Sequence, residues 1–106
     1  MKKSEYNVIV SDEAHEDVIN YIKYTVIQYQ DYFVAAKILD DYHKTLANLR
    51  SVGGYLSICD FPKAKRNGIR KIRFKKYSFY LFYIINGKTI NVIRGFQARQ
   101  NYQKLL

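Results

Sequence analysis

The sequence predicts an α+β fold: a short N-terminal strand, an antiparallel two-helix hairpin, and a mostly antiparallel sheet of four to five strands on which the hairpin packs. Three observations carry this expectation. Two apolar stripes at three- and four-residue spacing follow one another in the first half of the chain. The second half is rich in aromatic and β-branched residues. Asn86-Gly87 stands between two of its apolar runs, as a two-residue hairpin turn requires. At 106 residues and 48% hydrophobic content, the chain reads as one domain, residues 1–106, long enough for a single modest core.

Tyr6-Asn7-Val8-Ile9-Val10 alternates apolar and polar positions at its start and stops at Ser11, which predicts a short strand running into a helix cap. Ser11 or Asp12 supplies an oxygen for the free amides of the first turn, and Asp12, Glu13, Glu16 and Asp17 suit the positive end of a helix dipole. Ala14, Val18, Ile22, Val26 and Tyr29, with Tyr21 and Thr25 beside them, form the apolar stripe of a helix of about five turns. A polar break over 28–31 precedes a second stripe, Ala35, Ile38, Leu39, Tyr42, Leu46 and Leu49. It stops at Gly53-Gly54, where a left-handed glycine is expected to close the helix. Two helices joined by a short turn pack as a hairpin whose stripes still need a third surface.

The remaining sequence supplies that surface. Residues 55–61 read as a strand, 62–68 as a basic loop, and 69–75, 77–85 and 89–96 as three further strands. The run 77–85 is apolar at nearly every position, the mark of a central strand covered on both faces. Residues 99–106 form a short tail.

Charge divides the chain in two. The formal net charge is +9 and the pI about 9.7. All nine acidic residues fall in the first sixty positions, whereas 61–106 carry twelve Lys and Arg and no acid. The densest part is Lys63, Lys65, Arg66, Arg70, Lys71, Arg73, Lys75 and Lys76. A basic face kept only for solubility normally carries interspersed acids, so a phosphate-bearing or acidic partner is the expectation. A lone cysteine, Cys59, leaves no intrachain disulfide to form, and its neighbours Ile58 and Phe61 mark it as a buried thiol. His15 and His43 are the only histidines and lack a ligand cluster, so neither a metal nor any other cofactor is expected. Met1-Lys2-Lys3-Ser4-Glu5 has no signal-like apolar region and no run is long enough to span a bilayer; a cytoplasmic location, with no membrane partner, follows as an expectation.

Alternation along 69–74 places Ile72 and Phe74 on one face of the sheet and Lys71 and Arg73 on the other. If the apolar pair faces the helices, the two cations share the open face. Ile90, Val92 and Phe96 mark one side of the last strand, and Arg94 shares it, half buried. Tyr80, Arg99 and Tyr102 are within reach of the same hollow as Lys71 and Arg73, giving a cleft that holds phosphates by charge and stacks bases on phenol rings. Lys63, Lys65, Arg66, Arg70, Lys75 and Lys76 would extend it as a nucleic-acid-binding surface. For any one of the eleven tyrosines, sheet packing is the more common role. Arg70 also reads as a structural arginine that pairs with Asp12 or Asp17.

With that order of elements in place, the chain resembles the RelE/ParE superfamily of type II toxin-antitoxin toxins over almost its whole length. The resemblance is carried by Tyr6-Asn7-Val8-Ile9-Val10-Ser11 with Ala14, the helical 19–24, Ala35-Ala36, Gly68-Ile69-Arg70, Tyr77, Leu81-Phe82-Tyr83, Val92-Ile93-Arg94 and Arg99. It implies a small basic toxin that arrests growth and is neutralised by a cognate acidic antitoxin, whose helix or strand covers the basic face or the groove of the helical hairpin.

The resemblance leaves the target open. RelE-type members are ribosome-dependent endoribonucleases, or mRNA interferases, that cleave mRNA in the ribosomal A site. Their catalytic strand carries two basic residues one position apart, and Lys71 and Arg73 fall on that pattern. Arg99 resembles the later active-site arginine, and Tyr102 lies near the C-terminal tyrosine. Tyr80 stands where those enzymes have an arginine, and Gln97 where some have a histidine. Cleavage by a ribose 2′-hydroxyl needs a proton acceptor and cations on the phosphate, so the base would be a lysine of lowered pKa such as Lys71, or a tyrosine, with Arg73 and Arg99 as clamp. ParE-type members instead poison DNA gyrase, and the long first helix, Gly68-Ile69-Arg70 and the absent second-strand arginine resemble that branch. The heavy basic charge suits ribosomal RNA and tips the expectation slightly to translation. A basic nucleic-acid-binding module without catalysis is the third reading.

Overall fold

The structure, a computed structural model, describes residues 5–106; residues 1–4, part of the start read above as free of a leader, lie outside them. Among the described residues, four α-helices and four strands follow in the order β1 (Asn7–Val10), α1 (Asp12–Tyr29), α2 (Phe33–Val52), α3 (Pro62–Asn67), β2 (Arg70–Arg73), β3 (Phe79–Asn86), β4 (Thr89–Gln97) and α4 (Tyr102–Leu105). The sheet order is β1-β4-β3-β2, with β1 parallel to β4 and the other pairs antiparallel.

Ser11 caps α1 as expected. Its Oγ accepts from the Ala14 amide at 3.0 Å and donates to the Ile93 carbonyl at 3.1 Å, so one hydroxyl starts the helix and ties it to β4. The helix ends at Gln30, which takes the left-handed conformation (φ 51°), and the Asp31 carboxylate accepts from the Phe33 amide at 2.9 Å to start α2. Ala14, Val18, Ile22, Ile38, Tyr42 and Leu49 then bury against Ile72, Phe74, Phe79, Leu81, Tyr83, Ile90 and Val92 on the sheet. Gly95 makes room for the Phe79 ring of β3 under α1, because a Cβ there would stand 2.7 Å from that ring and 3.4 Å from Asp17 Cβ.

Several expectations need correction. Residues 55–61 contribute a single bridge, Ile58 to Arg70, after a 3-10 turn at Gly53–Tyr55, and are not a full strand. The loop 62–68 is largely the short helix α3, for which Pro62 at the first turn is preorganised. Gly53 remains right-handed (φ −55°); its lack of a side chain matters because a Cβ there would collide with the Ile90 side chain. The β3–β4 turn is Gly87-Lys88, one residue later than the sequence implies, with Asn86 paired to Thr89 and only Gly87 at positive φ (58°). A β-bulge at Ile93 reverses the alternation of β4: Ile90 and Val92 face the helices, while Ile93 and Phe96 face the other side.

That other side is not open. Cys59, Phe61, Ala64, Ile69, Phe82 and Phe96 make a second, smaller core beneath α3, and Tyr102 and Leu106 of the tail pack against it. Cys59 is buried there, and the burial raises its thiol pKa.

Candidate functional site

The cationic residues of the second half are spread over the molecule. Lys71 and Tyr80 lie on the second face of the sheet, where α4 brings Tyr102 to them. Lys71 Nζ donates to Tyr102 Oη at 3.1 Å and stands 4.5 Å above the Tyr80 ring and 5.1 Å from that of Tyr102. Tyr102 is itself held against Phe82, ring centroids 4.9 Å apart. Burial works against the charge on Lys71, but the Tyr102 hydrogen bond and the two phenols outweigh it, and the pKa lies above the ordinary lysine value. The direction is opposite to that expected of a lysine base: Lys71 is held as an ammonium at neutral pH.

Arg73 sits at the end of β2, exposed, with Nη2 donating to Ser78 Oγ and Nη1 to its neighbour's carbonyl at Phe74, each at 3.0 Å. Arg99 turns the opposite way. Its Nη2 donates to Tyr24 Oη on α1 at 3.0 Å, so it belongs to the helical side of the sheet. Lys71, Arg73 and Arg99 thus share no partner; Lys71, Tyr80 and Tyr102 meet, and the two arginines stand apart from them.

Among the other basic positions, Arg70 is structural. Its Nη1 donates to the carbonyls of Gly54 and Leu56, fixing the segment that follows α2. It pairs with neither Asp12 nor Asp17, because Asp17 is taken by Arg94: Nε to Oδ2 at 2.8 Å, with the Gly95 amide at 2.9 Å on the same oxygen. The Arg94 guanidinium also lies 4.6 Å from the Phe96 ring, wrapping the free end of β4. On α3, Lys63 donates to a Leu106 oxygen and Lys65 pairs with Asp60 at 2.8 Å, while Arg66 is exposed. Lys75 and Lys76 project from the β2–β3 turn, and their amides, with that of Tyr77, converge on the carboxylate of Asp41 at 2.9, 2.8 and 3.1 Å.

Asp41 is 3% exposed and lies in the apolar stripe of α2. The sequence did carry a signal for it, an acid beside Tyr42 on the side of Ile38, Thr45 and Leu49, because a carboxylate is buried only with donors to satisfy it. Sequence reasoning also missed Tyr24. It lines a groove of about 860 Å³ between the free end of the helical hairpin and the β2–β3 turn, together with Tyr21, Tyr29, Tyr77, Lys76 and Arg99. The signal available was a row on one side of α1 at helical spacing, Tyr21, Tyr24 and Gln28, two of its three members aromatic.

An α-hairpin lying on one face of a four-stranded sheet is the fold that the sequence resemblance implied. A chain of the solved chromosomal ParDE TA system from P. aeruginosa superposes with a TM-score of 0.74 at 16% identity, over 92% of this chain and 100% of that one. No protein-family model and no curated protein matches the sequence. Among the described residues, no helix is long and apolar enough to cross a membrane.

Proposed function

We propose that this chain is the toxin of a type II toxin-antitoxin pair, acting in the cytoplasm and held inactive by an acidic antitoxin, and that it works as ParE toxins do, by poisoning DNA gyrase. One observation carries the class: the likeness to the ParDE chain extends over 92% of this chain and 100% of that one. The charge supports the partner, since a +9 chain whose acids all precede residue 61 is complementary to an acidic polypeptide. The arrangement of the basic residues supports gyrase over RNA cleavage. Phosphoryl cleavage needs a base and cations around one phosphate, whereas Arg99 is engaged with Tyr24 on the helical side and Lys71 is held protonated.

A second reading, ribosome-dependent mRNA cleavage, keeps one supporting feature: Lys71, Tyr80 and Tyr102 meet on the second face, with Arg73 on the same strand. Induction in growing cells, with translation and DNA breaks followed separately, distinguishes the two. The expected result is growth arrest with DNA breaks appearing before protein synthesis falls, and full toxicity in Lys71→Ala and Arg73→Ala. Early cleavage of mRNA, abolished by either substitution, would replace gyrase with the ribosome. Unimpaired growth would remove the toxin reading altogether and leave a basic binding module.

A further inference from the structure

The free end of the helical hairpin is unusually apolar for a surface. Ile27 is 77% exposed, Tyr29 69%, Tyr32 84% and Phe33 79%, with Tyr24 exposed beside them. Large apolar side chains gathered in solvent mark a contact surface. Tyr24 and Tyr29 also line the 860 Å³ groove, where Tyr21 and Tyr77 complete an aromatic wall. The facing wall is cationic and polar: Lys76, Ser78, Gln97 and Arg99. The Arg99–Tyr24 hydrogen bond fixes a guanidinium beside a phenol, and Arg73 reaches the rim through Ser78 Oγ. Among the described residues, Asp31 is the one acid in the lining, and its carboxylate already accepts from the Phe33 amide.

We infer that this groove binds single-stranded nucleic acid, with bases stacked on Tyr24, Tyr29 and Tyr77 and the backbone phosphates held by Arg99 and Lys76. Phenol planes next to guanidinium and ammonium groups are the combination that grips unpaired strands without reading sequence. An acidic peptide would satisfy the cations equally well. Its apolar side chains, however, would need aliphatic pockets, and the only branched aliphatic residue in the lining, among the described residues, is Val34. The side-chain amides of Gln28 and Gln97 can meet base edges from either wall. A duplex has no free base faces to offer these rings. The inference goes beyond the toxin reading and stands on the groove alone, whether or not the chain arrests growth.

Fluorescence anisotropy on the full chain tests it, using labelled single-stranded DNA and RNA of about ten nucleotides, a duplex of the same sequence, and polyglutamate. Tyr24→Ala and Tyr29→Ala, both at exposed positions, are each expected to weaken single-strand binding roughly tenfold and leave duplex binding unmoved. Arg99→Ala should weaken it and flatten its salt dependence. Lys88→Ala removes the same charge at the β3–β4 turn and should leave the affinity little changed. Binding of either single strand sustains the proposal, and the tighter arm identifies the sugar. Tyrosine variants that bind like the wild type would reduce the interaction to bulk charge and overturn it. So would a preference for the duplex, or tight polyglutamate binding without oligonucleotide binding.

Discussion

The two faces of the sheet are built in different ways. On one, two helices of 18 and 20 residues lay continuous stripes over Leu81, Tyr83, Ile90 and Val92. On the other, a six-residue helix and a four-residue helix roof a patch centred on Phe82 and Phe96. Long regular elements bury much apolar area with few free backbone groups, whereas short ones expose their ends and rely on side-chain clasps such as Lys71 to Tyr102 and Lys63 to Leu106. The large face therefore holds the fold together, and the small face carries Lys71, with Lys63, Lys65 and Arg66 on its short roof helix.

Truncation of an aromatic residue on each face is the sharpest test of that difference. Phe79→Ala, under α1, is expected to cost about 3–5 kcal/mol in urea denaturation. Phe61→Ala, under the thin roof, should cost less because α3 can settle into the space; an equal or larger loss would break the comparison. Asp41→Asn comes next. Exchanging the carboxylate for an amide weakens three charge-assisted bonds to the turn amides and should cost about 2 kcal/mol, with Lys75 and Lys76 amides gaining hydrogen-exchange rate.

Tyr83 sharpens the comparison through pH. Burial pushes its hydroxyl, which donates to the Gly53 carbonyl at 2.8 Å, up to about 12 from an ordinary value of 10.0. The folded chain keeps a proton that the unfolded chain releases, so this contribution is complete below pH 10 and is lost as the pH rises through 12. Burial raises Tyr21 and Tyr42 in the same direction. Stability should fall between those limits, and Tyr83→Phe should flatten the fall at a cost of about 1 kcal/mol at neutral pH. The smallest effect is expected on the small face. Lys65→Ala breaks a solvent-exposed pair with Asp60 and should leave the denaturation midpoint where it is.

Most of the large face was legible in the sequence because its signals are periodic. Val18 and Ile22 on α1, and Ile38, Tyr42 and Leu49 on α2, recur at helical spacing, and each is buried as the stripe predicts. The small face was not legible. Pro62 to Asn67 is too short to show a period, so it reads as a loop. The bulge at Ile93 reverses side-chain alternation without any residue that announces it, which moved Phe96 to a face the pattern denied it. Lys71, Tyr80 and Tyr102 meet, but Arg99 does not join them, for a related reason: Lys71 and Arg73 could be placed by strand alternation, whereas Arg99 lies beyond β4, where no period governs direction, and it follows Tyr24 to the helical side.

The carboxylate of Asp41 has one more consequence. Three consecutive backbone amides in a cationic turn would make a ready receptacle for an outside oxyanion, yet the protein fills that receptacle from within. Whatever negative group comes to this end of the molecule must be met by long flexible side chains, Lys75, Lys76, Arg73 and Arg99, and not by that turn's amides. Such a grip tolerates many shapes of visitor, discriminates poorly among them, and loosens as salt is added.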